Sequence, residues 1–315
     1  MSQAIAEQAA TLWGIEPHAL QLVARRENTV YRAETPEGPR ALRLHRPGYR
    51  SLAELVSEME WMEALTTAGM QVPRPSTSLG GQWIEMVGET PVSVLSWLSG
   101  ARAGAGGRLD VADRTGFAAD LGRTMARLHD ASDSWAKPAT FTRPRWDIDG
   151  LLGDAPIWGR FWDNPDLTPE ERDTLLSVRV KAYEHLTTIA PNLDFGLLHA
   201  DILTENILMD QDRTQLIDFD DGGWGFRDFE LATFLMRFLE APDFPALKAA
   251  MIEGYAERRA IAPQTLDFFI LLRALTYPGW IIPRRHEPGG AARSEQAIRT
   301  ALPLARNFLS GAALC

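Results

Sequence analysis

Between Leu197 and Gly225 the chain reads LLHADILTENILMDQDRTQLIDFDDGGWG, and its polar side chains fall where folding alone would favour apolar ones. Asp201 follows the run Leu197-Leu198-His199-Ala200. Asn206 comes five residues later, just before Ile207-Leu208-Met209, and Asp218 closes a second apolar run, Leu216-Ile217. Two short strands joined by a tight turn at residues 210–213 would bring Asn206 and Asp218 side by side, with Asp201 facing them. Oxygen donors of this kind suit a hard divalent cation that keeps some of its waters, and Mg²⁺ bound by one or two carboxylates plus substrate phosphates is the usual case. Phosphoryl transfer from ATP needs the same parts in the same order. One Asp orients the acceptor hydroxyl, and an Asn five residues on and a later Asp hold the metal against the phosphates. The alternative, an ordinary β-hairpin with acidic turn residues, requires three independently placed polar residues and two strands to coincide.

The spacing H-x-D-x-x-x-x-N followed by an apolar-D-F segment resembles the aminoglycoside phosphotransferase and choline kinase group. That group includes type II homoserine kinases and a bacterial stress-response Ser/Thr kinase. The resemblance implies an α+β, two-lobed protein-kinase-like fold, with a small antiparallel-sheet N-lobe carrying one main helix and a larger, mainly helical C-lobe. It also implies ATP and Mg²⁺ as cofactors, Asp201 as catalytic base, and Asn206 and Asp218 as metal ligands. Ala200 departs from the family, which usually has Gly there, so an ordinary rather than left-handed backbone is expected at that position.

The 315-residue chain is long enough for two lobes. Its formal net charge of −10 argues against nucleic acid or an anionic membrane surface as a partner. The single cysteine, Cys315, rules out an intrachain disulfide or a cysteine metal site. The N-terminal stretch lacks a basic head and carries Glu7, unlike a secretory signal, and no apolar run approaches the roughly 18–20 residues that span a bilayer. A cytoplasmic location is the resulting expectation. Oligomeric state leaves no readable mark.

Residues 5–12 read as a helix, and 19–24 and 30–34 as strands around the turn 25–29. The turn lacks the glycine pattern of a phosphate-covering loop, but the resemblance implies that backbone N–H groups and short polar side chains, Asn28 among them, lie near the nucleotide. After the turn Pro36-Glu37-Gly38-Pro39, strand alternation puts Ala41 and Arg43 on one face and Leu42 and Leu44 on the other. Protein kinases use a strand lysine to pair the α- and β-phosphates. Here the lysines are Lys137, Lys181 and Lys248, so an N-terminal phosphate cation must be an arginine. Arg43 has the right register, with Arg46 or Arg40 as alternatives. Residues 51–68 read as a helix with the stripe Leu52, Leu55, Met59, Met62 and Leu65. The family pattern, a Glu before a half-helix ending in Ala68-Gly69 and then Val72-Pro73, implies Glu58 as the carboxylate that holds Arg43.

Strands are expected at 80–87 and 92–98, then a small-residue linker at 99–107. The resemblance implies a hinge at Trp97 and Leu98 whose backbone reads adenine. It also implies a lobe boundary there, with residues 1–98 as the nucleotide-binding lobe and 99–315 as the catalytic and substrate-binding lobe. ATP·Mg²⁺ would sit between lobes, with Arg43 and Glu58 above and Asn206 and Asp218 below. Helices are expected at 113–130, 168–189, 244–260, 263–276 and 291–309, and an irregular stretch at 141–162 holds Trp146, Trp158 and Trp162. A buried helix begins near Phe226, where Glu230-Leu231-Ala232 stands for the family's Asp-Leu-Ala. Glu230 is read as a brace for the catalytic loop, with Asp228 and Glu230 as substrate contacts in the alternative. The acidic residues Asp220, Asp221 and Glu230 suit a small hydroxyl acceptor bearing an amine, such as an amino alcohol, a homoserine-like compound or an aminoglycoside. A protein Ser/Thr acceptor stays open as the alternative, and a catalytically dead binding module ranks below both, because the base and both metal ligands are present.

Overall fold

The computed structural model describes residues 2–25, 28–211 and 213–314. Arg26 and Glu27 of the expected 25–29 turn, Asp212 of the 210–213 turn, and Cys315 lie outside the described residues. The chain divides into two compact units. The first comprises Met1–Ala103, Ala131–Arg143 and Asn206–Asp220, and the second Gly104–Asp130, Pro144–Glu205 and Asp221–Cys315.

The first unit is built on an antiparallel sheet in the order Leu20–Arg25, Thr29–Ala33, Arg40–Leu44, Thr90–Ser96 and Pro75–Ser76, with Ile84–Val87 also paired to Thr90–Ser96. Alternation along Arg40–Leu44 sorts its side chains as expected. Leu42 and Leu44 join Tyr31, Ala33 and Val94 in a core that Ala6, Ala9 and Ala10 of the helix Ser2–Leu12 complete. Arg43 points the other way, to Glu58 of the helix Leu52–Thr67. That helix starts at a capping box: the Glu54 N–H donates to Ser51 Oγ, and the Ser51 N–H donates back to Glu54 Oε2. Its apolar stripe begins one turn later than expected, because Leu52 is exposed while Leu55, Met59, Met62 and Leu65 are buried. The indole of Trp61 meets Phe219 edge to face and donates from Nε1 to Ser132 Oγ at 2.9 Å, which fixes the helix against the segment that carries Asp218.

The hairpin Ile207–Asp210 and Arg213–Leu216 pairs Ile207 with Leu216. The run expected as a linker contains a third strand, Ala101–Arg102, paired with Leu208 and Met209. Gly100 has a φ of 143°, and a Cβ there would lie 2.8 Å from the Met209 carbonyl oxygen, so only glycine lets the two segments approach. Strand 80–87 is likewise shorter than expected, since Ser78 N–H donates to Gln82 O and closes a turn before Ile84.

The second unit is mostly helical. A small sheet runs Arg145–Trp146, Gly223–Phe226 and Phe195–Leu198, the last pair antiparallel with Gly223 opposite Leu198. The stretch 141–162 is therefore less irregular than expected, carrying this strand and the helix Ile148–Leu152. Its tryptophans pack rather than line an open pocket: Trp146 stacks on Phe229 and meets Trp158 edge to face, and Trp162 packs on Phe161. The helix Arg227–Leu235 is buried all round. The helix Pro263–Trp280 runs past the expected end at 276 with Pro278 inside it, and the Pro278 carbonyl accepts from Asn164 Nδ2 at 2.7 Å. No helix among the described residues is long and apolar enough to cross a membrane.

Candidate active site

In the first unit, Arg43 is the centre of a buried charge network. Its Nη1 donates to Glu58 Oε1 at 2.8 Å and its Nη2 to an Asp220 oxygen, and Asn28 Nδ2 donates to the other Asp220 oxygen. Both members of the Arg43–Glu58 pair are nearly inaccessible, with side chains 7% and 0% exposed. Burial weakens the Arg43 charge, but the carboxylates of Asp220, Glu58 and Asp218 outweigh it and hold the guanidinium ionised. Burial pushes Glu58 up, against the pull of Arg43. Asp220 is also penalised by burial, yet Arg43 and its other cationic neighbours bring it below the usual carboxylate range.

Asn206 and Asp218 lie at one end of the hairpin. Ile217 N–H donates to Asn206 O at 3.0 Å, so the ladder continues one step past Ile207 and Leu216 and places Asp218 just beyond. Asp218 has a φ of 70°, a left-handed conformation that costs an L-residue about 1 kcal/mol and that concentrates at functional sites. Arg143, which the sequence reading missed, holds this turn: its Nη2 donates to the carbonyls of Phe219 and Asp220, both at 2.8 Å, and its Nη1 to Glu54 O at 3.0 Å. Arg-Pro in an unpatterned stretch gives no signal of that task. Trp97 follows the strand Thr90–Ser96; its N–H donates to Pro39 O at 3.1 Å, and the Arg32 guanidinium lies over its ring. Leu98 beside it is half-buried.

In the second unit, Asp201 follows an unusual turn. Ala200 has a φ of 67°, so the expectation of an ordinary backbone is corrected: the chain takes the left-handed form without the glycine that would make it easy. Glu230 holds it there, accepting from His199 N–H at 2.6 Å and from Ala200 N–H at 2.8 Å. Two hydrogen bonds, each worth about 0.5–1.5 kcal/mol, offset the cost of one left-handed alanine. Glu230 is fully buried, and burial raises it to about 7. His129 lies behind it, its Nε2 3.6 Å from Glu230 Oε1 and its Nδ1 2.9 Å from the Tyr255 hydroxyl; burial keeps the imidazole neutral.

Asp201 itself is partly exposed and accepts from Arg273 Nη2 at 3.0 Å. Burial raises its pKa to about 7; Asp221 and Glu205 add to the rise, and Arg273 opposes it. A carboxylate tuned to neutrality beside a fixed cation is suited to accept a proton at working pH. Two substrate expectations are corrected by this geometry. Glu230 spends both oxygens on backbone N–H groups, and Asp220 is buried against Arg43 and Asn28, so neither carboxylate is presented to an acceptor. Asp228 is buried too, whereas Asp221 is half-buried.

A model of the phosphotransferase enzyme family matches residues 18–269. The chain belongs to this family. The phosphotransferase is 27% identical over 293 residues to an amicoumacin kinase of Bacillus subtilis, covering 87% of this chain and 83% of that one. It is 26% identical over 248 residues to a homoserine kinase of Gluconobacter oxydans, covering 75% and 72%. A solved structure of a microcompartment-associated aminopropanol kinase superposes with a TM-score of 0.85 at 29% identity, covering 99% of each chain. The phosphotransferase therefore has the protein-kinase-like α+β fold, with an antiparallel-sheet N-terminal part and a helical C-terminal part. It is a kinase, an enzyme that transfers a phosphoryl group to an alcohol.

Proposed function

We propose that this kinase transfers the γ-phosphoryl group of ATP, in a Mg²⁺-dependent reaction, to the hydroxyl of a small amino-bearing molecule of the amino-alcohol or homoserine-like kind. The observation that carries the reading is the likeness to an aminopropanol kinase over 99% of both chains. The charge around Asp201 supports it: Asp221 and Glu205 lie close enough to raise the Asp201 pKa, and a local excess of carboxylates favours an ammonium-bearing acceptor.

In the proposed reaction Asp201 accepts the hydroxyl proton as the acceptor oxygen bonds to the γ-phosphorus. The bond from that phosphorus to the β,γ-bridging oxygen breaks, and ADP leaves. Arg43, kept ionised by Asp220 and Glu58, pairs the phosphates; Asn28 and the backbone at Trp97 and Leu98 contact the nucleotide. We assign residues 1–98 to nucleotide binding and 99–315 to catalysis and acceptor binding. Asn206 and Asp218 supply an amide and a carboxylate oxygen at one hairpin end, hard donors that fit Mg²⁺. The described residues hold no group of three or more His, Cys, Asp or Glu side chains able to bind a metal ion, which fits a cation that relies on nucleotide phosphates for further ligands. Once bound, it would neutralise phosphate charge.

The test is ADP release with ATP and a panel of 1-amino-2-propanol, ethanolamine, choline, L-homoserine, aminoglycosides and Ser/Thr peptides, with and without EDTA. The proposal expects turnover of an amino alcohol or homoserine, abolished by EDTA and restored by Mg²⁺. Exclusive turnover of peptides, or EDTA-insensitive turnover, would overturn it.

A further inference from the structure

Helix Pro263–Trp280 is apolar over Phe268-Phe269-Ile270-Leu271-Leu272, and then carries a fully buried arginine, Arg273. Arginine is seldom fully buried unless paired, and Arg143 spends its donors on backbone carbonyls. Arg273 does not. Its Nη2 donates to Asp201 Oδ1 at 3.0 Å and to the Tyr277 hydroxyl at 3.3 Å. Among the described residues its Nε and Nη1 meet no hydrogen-bond acceptor. They face rings instead: the guanidinium carbon lies 4.2 Å from the centroid of Trp158, 4.9 Å from Tyr277 and 5.3 Å from Phe229. These rings are fixed in turn, since Trp158 packs edge to face on Trp146 and on Tyr277, and Trp146 stacks on Phe229.

An aromatic cage compensates a cation without directing its hydrogen bonds, so the direction comes from the carboxylate. A buried ion pair is seldom the most stable filling of such a space, and an apolar residue of similar size often serves stability as well or better. The cage therefore stabilises a charge whose main polar partner is the carboxylate read above as the base. We infer that Arg273 is a positioning residue for the reaction: the three rings hold the guanidinium plane, and the guanidinium holds the Asp201 carboxylate in the orientation from which it takes the acceptor proton. The inference rests on the assignment of Asp201 as base. Arg273 also sits among the groups that set the charge of Asp201, opposing burial and the carboxylates of Asp221 and Glu205, while the His199 ring accepts from the Asp201 N–H and the Tyr277 hydroxyl shares the Arg273 donor.

The test compares the full chain with Arg273→Met, Arg273→Lys and Asp201→Asn. Turnover is followed from about pH 5.5 to 9 with ATP·Mg²⁺ and the acceptor that gives the highest rate in the panel above, water included as the default acceptor. Binding of AMP-PNP·Mg²⁺ and the thermal midpoint are measured on the same samples. For Arg273→Met the expected result is a fall in kcat on the order of 100-fold with nucleotide affinity retained. Its acid limb should also move to higher pH by about one unit or more, because the cation that opposed protonation is gone. Arg273→Lys keeps the charge but not the planar fork, so its limb should stay in place while kcat falls about tenfold. An unmoved limb in a folded Arg273→Met, whatever its thermal midpoint, marks a purely structural arginine and overturns the inference. If Arg273→Met does not fold, Arg273→Lys decides: wild-type kcat overturns the inference, and the tenfold loss sustains it. Asp201→Asn separates the two claims, since full turnover in that variant defeats the base assignment itself.

Discussion

Replacing Arg43 by methionine tests how the first unit holds its charges. The substitution keeps most of the volume and removes the cation 2.8 Å from Glu58, leaving a fully buried carboxylate, and it strips Asp220 of its guanidinium as well. Removing one member of a buried pair costs about 3–5 kcal/mol, chiefly because the remaining charge is uncompensated. Arg143, 3.5 Å from the second Glu58 oxygen, softens the loss, so a value near 3 kcal/mol is expected. Glu58→Gln should cost less, because Arg43 keeps Asp220 as a partner, and in the double variant neither Arg43 nor Glu58 is left as a buried charge. The double-mutant cycle should therefore show a coupling of about 1.5 kcal/mol or more, read from urea unfolding at one pH and salt concentration. Costs that add to within about 0.5 kcal/mol would refute the pairing as an energetic unit.

Glu230→Gln should weaken the brace on the His199–Ala200 turn, with a cost that depends on pH. Glu230 is raised from 4.5 to about 7, so its contribution is fully present below pH 4.5 and is lost as pH rises through 7. By linkage the stability advantage of wild type over the glutamine variant should shrink by about 3 kcal/mol between these limits, and a gap that is constant or widens in urea unfolding monitored by tryptophan fluorescence contradicts the burial-raised pKa of Glu230. Ala200→Gly relieves a left-handed alanine at about 1–2 kcal/mol but adds unfolded-chain entropy of about 0.5–1 kcal/mol, so a small rise in thermal midpoint is expected, and a fall would argue against the strain. Gly196→Ala should destabilise by more than about 2 kcal/mol in urea unfolding, because its Cβ would lie 2.0 Å from Arg227 Nη2 within a buried cluster; a neutral result would mean that Arg227 can move aside.

Much of this architecture was legible in the chain. Strand alternation sorted Leu42 and Leu44 from Arg43, and the lack of lysine before Lys137 singled out an arginine, which the structure pairs with Glu58. Helix 168–189 announced itself by Thr168-Pro169-Glu170-Glu171, and the capping box is present. What stayed hidden depends on contacts remote in sequence. The left-handed turn at Ala200 is imposed by Glu230, thirty residues on, and no local rule overrides the alanine preference. The strand at Ala101–Arg102 hides in a small-residue run because its partner is the hairpin and not its neighbours. Asp220, expected as a contact for an amine-bearing acceptor, is instead enclosed by Arg43 and Asn28, which lie far from it in sequence. Arg273 did leave a signal, an arginine set in an otherwise apolar helix, but its meaning required the three rings.

The account stands on Asp201 as the residue that accepts the acceptor proton, and Asp201→Asn measures it most directly. Single-turnover transfer from ATP·Mg²⁺ to the best acceptor, with AMP-PNP binding by calorimetry on the same preparation, is expected to show a loss of at least about 10³-fold in rate. Nucleotide affinity should stay within about threefold, because Arg43, proposed to pair the phosphates, is untouched. Transfer within about tenfold of wild type in a folded Asp201→Asn protein would contradict the account.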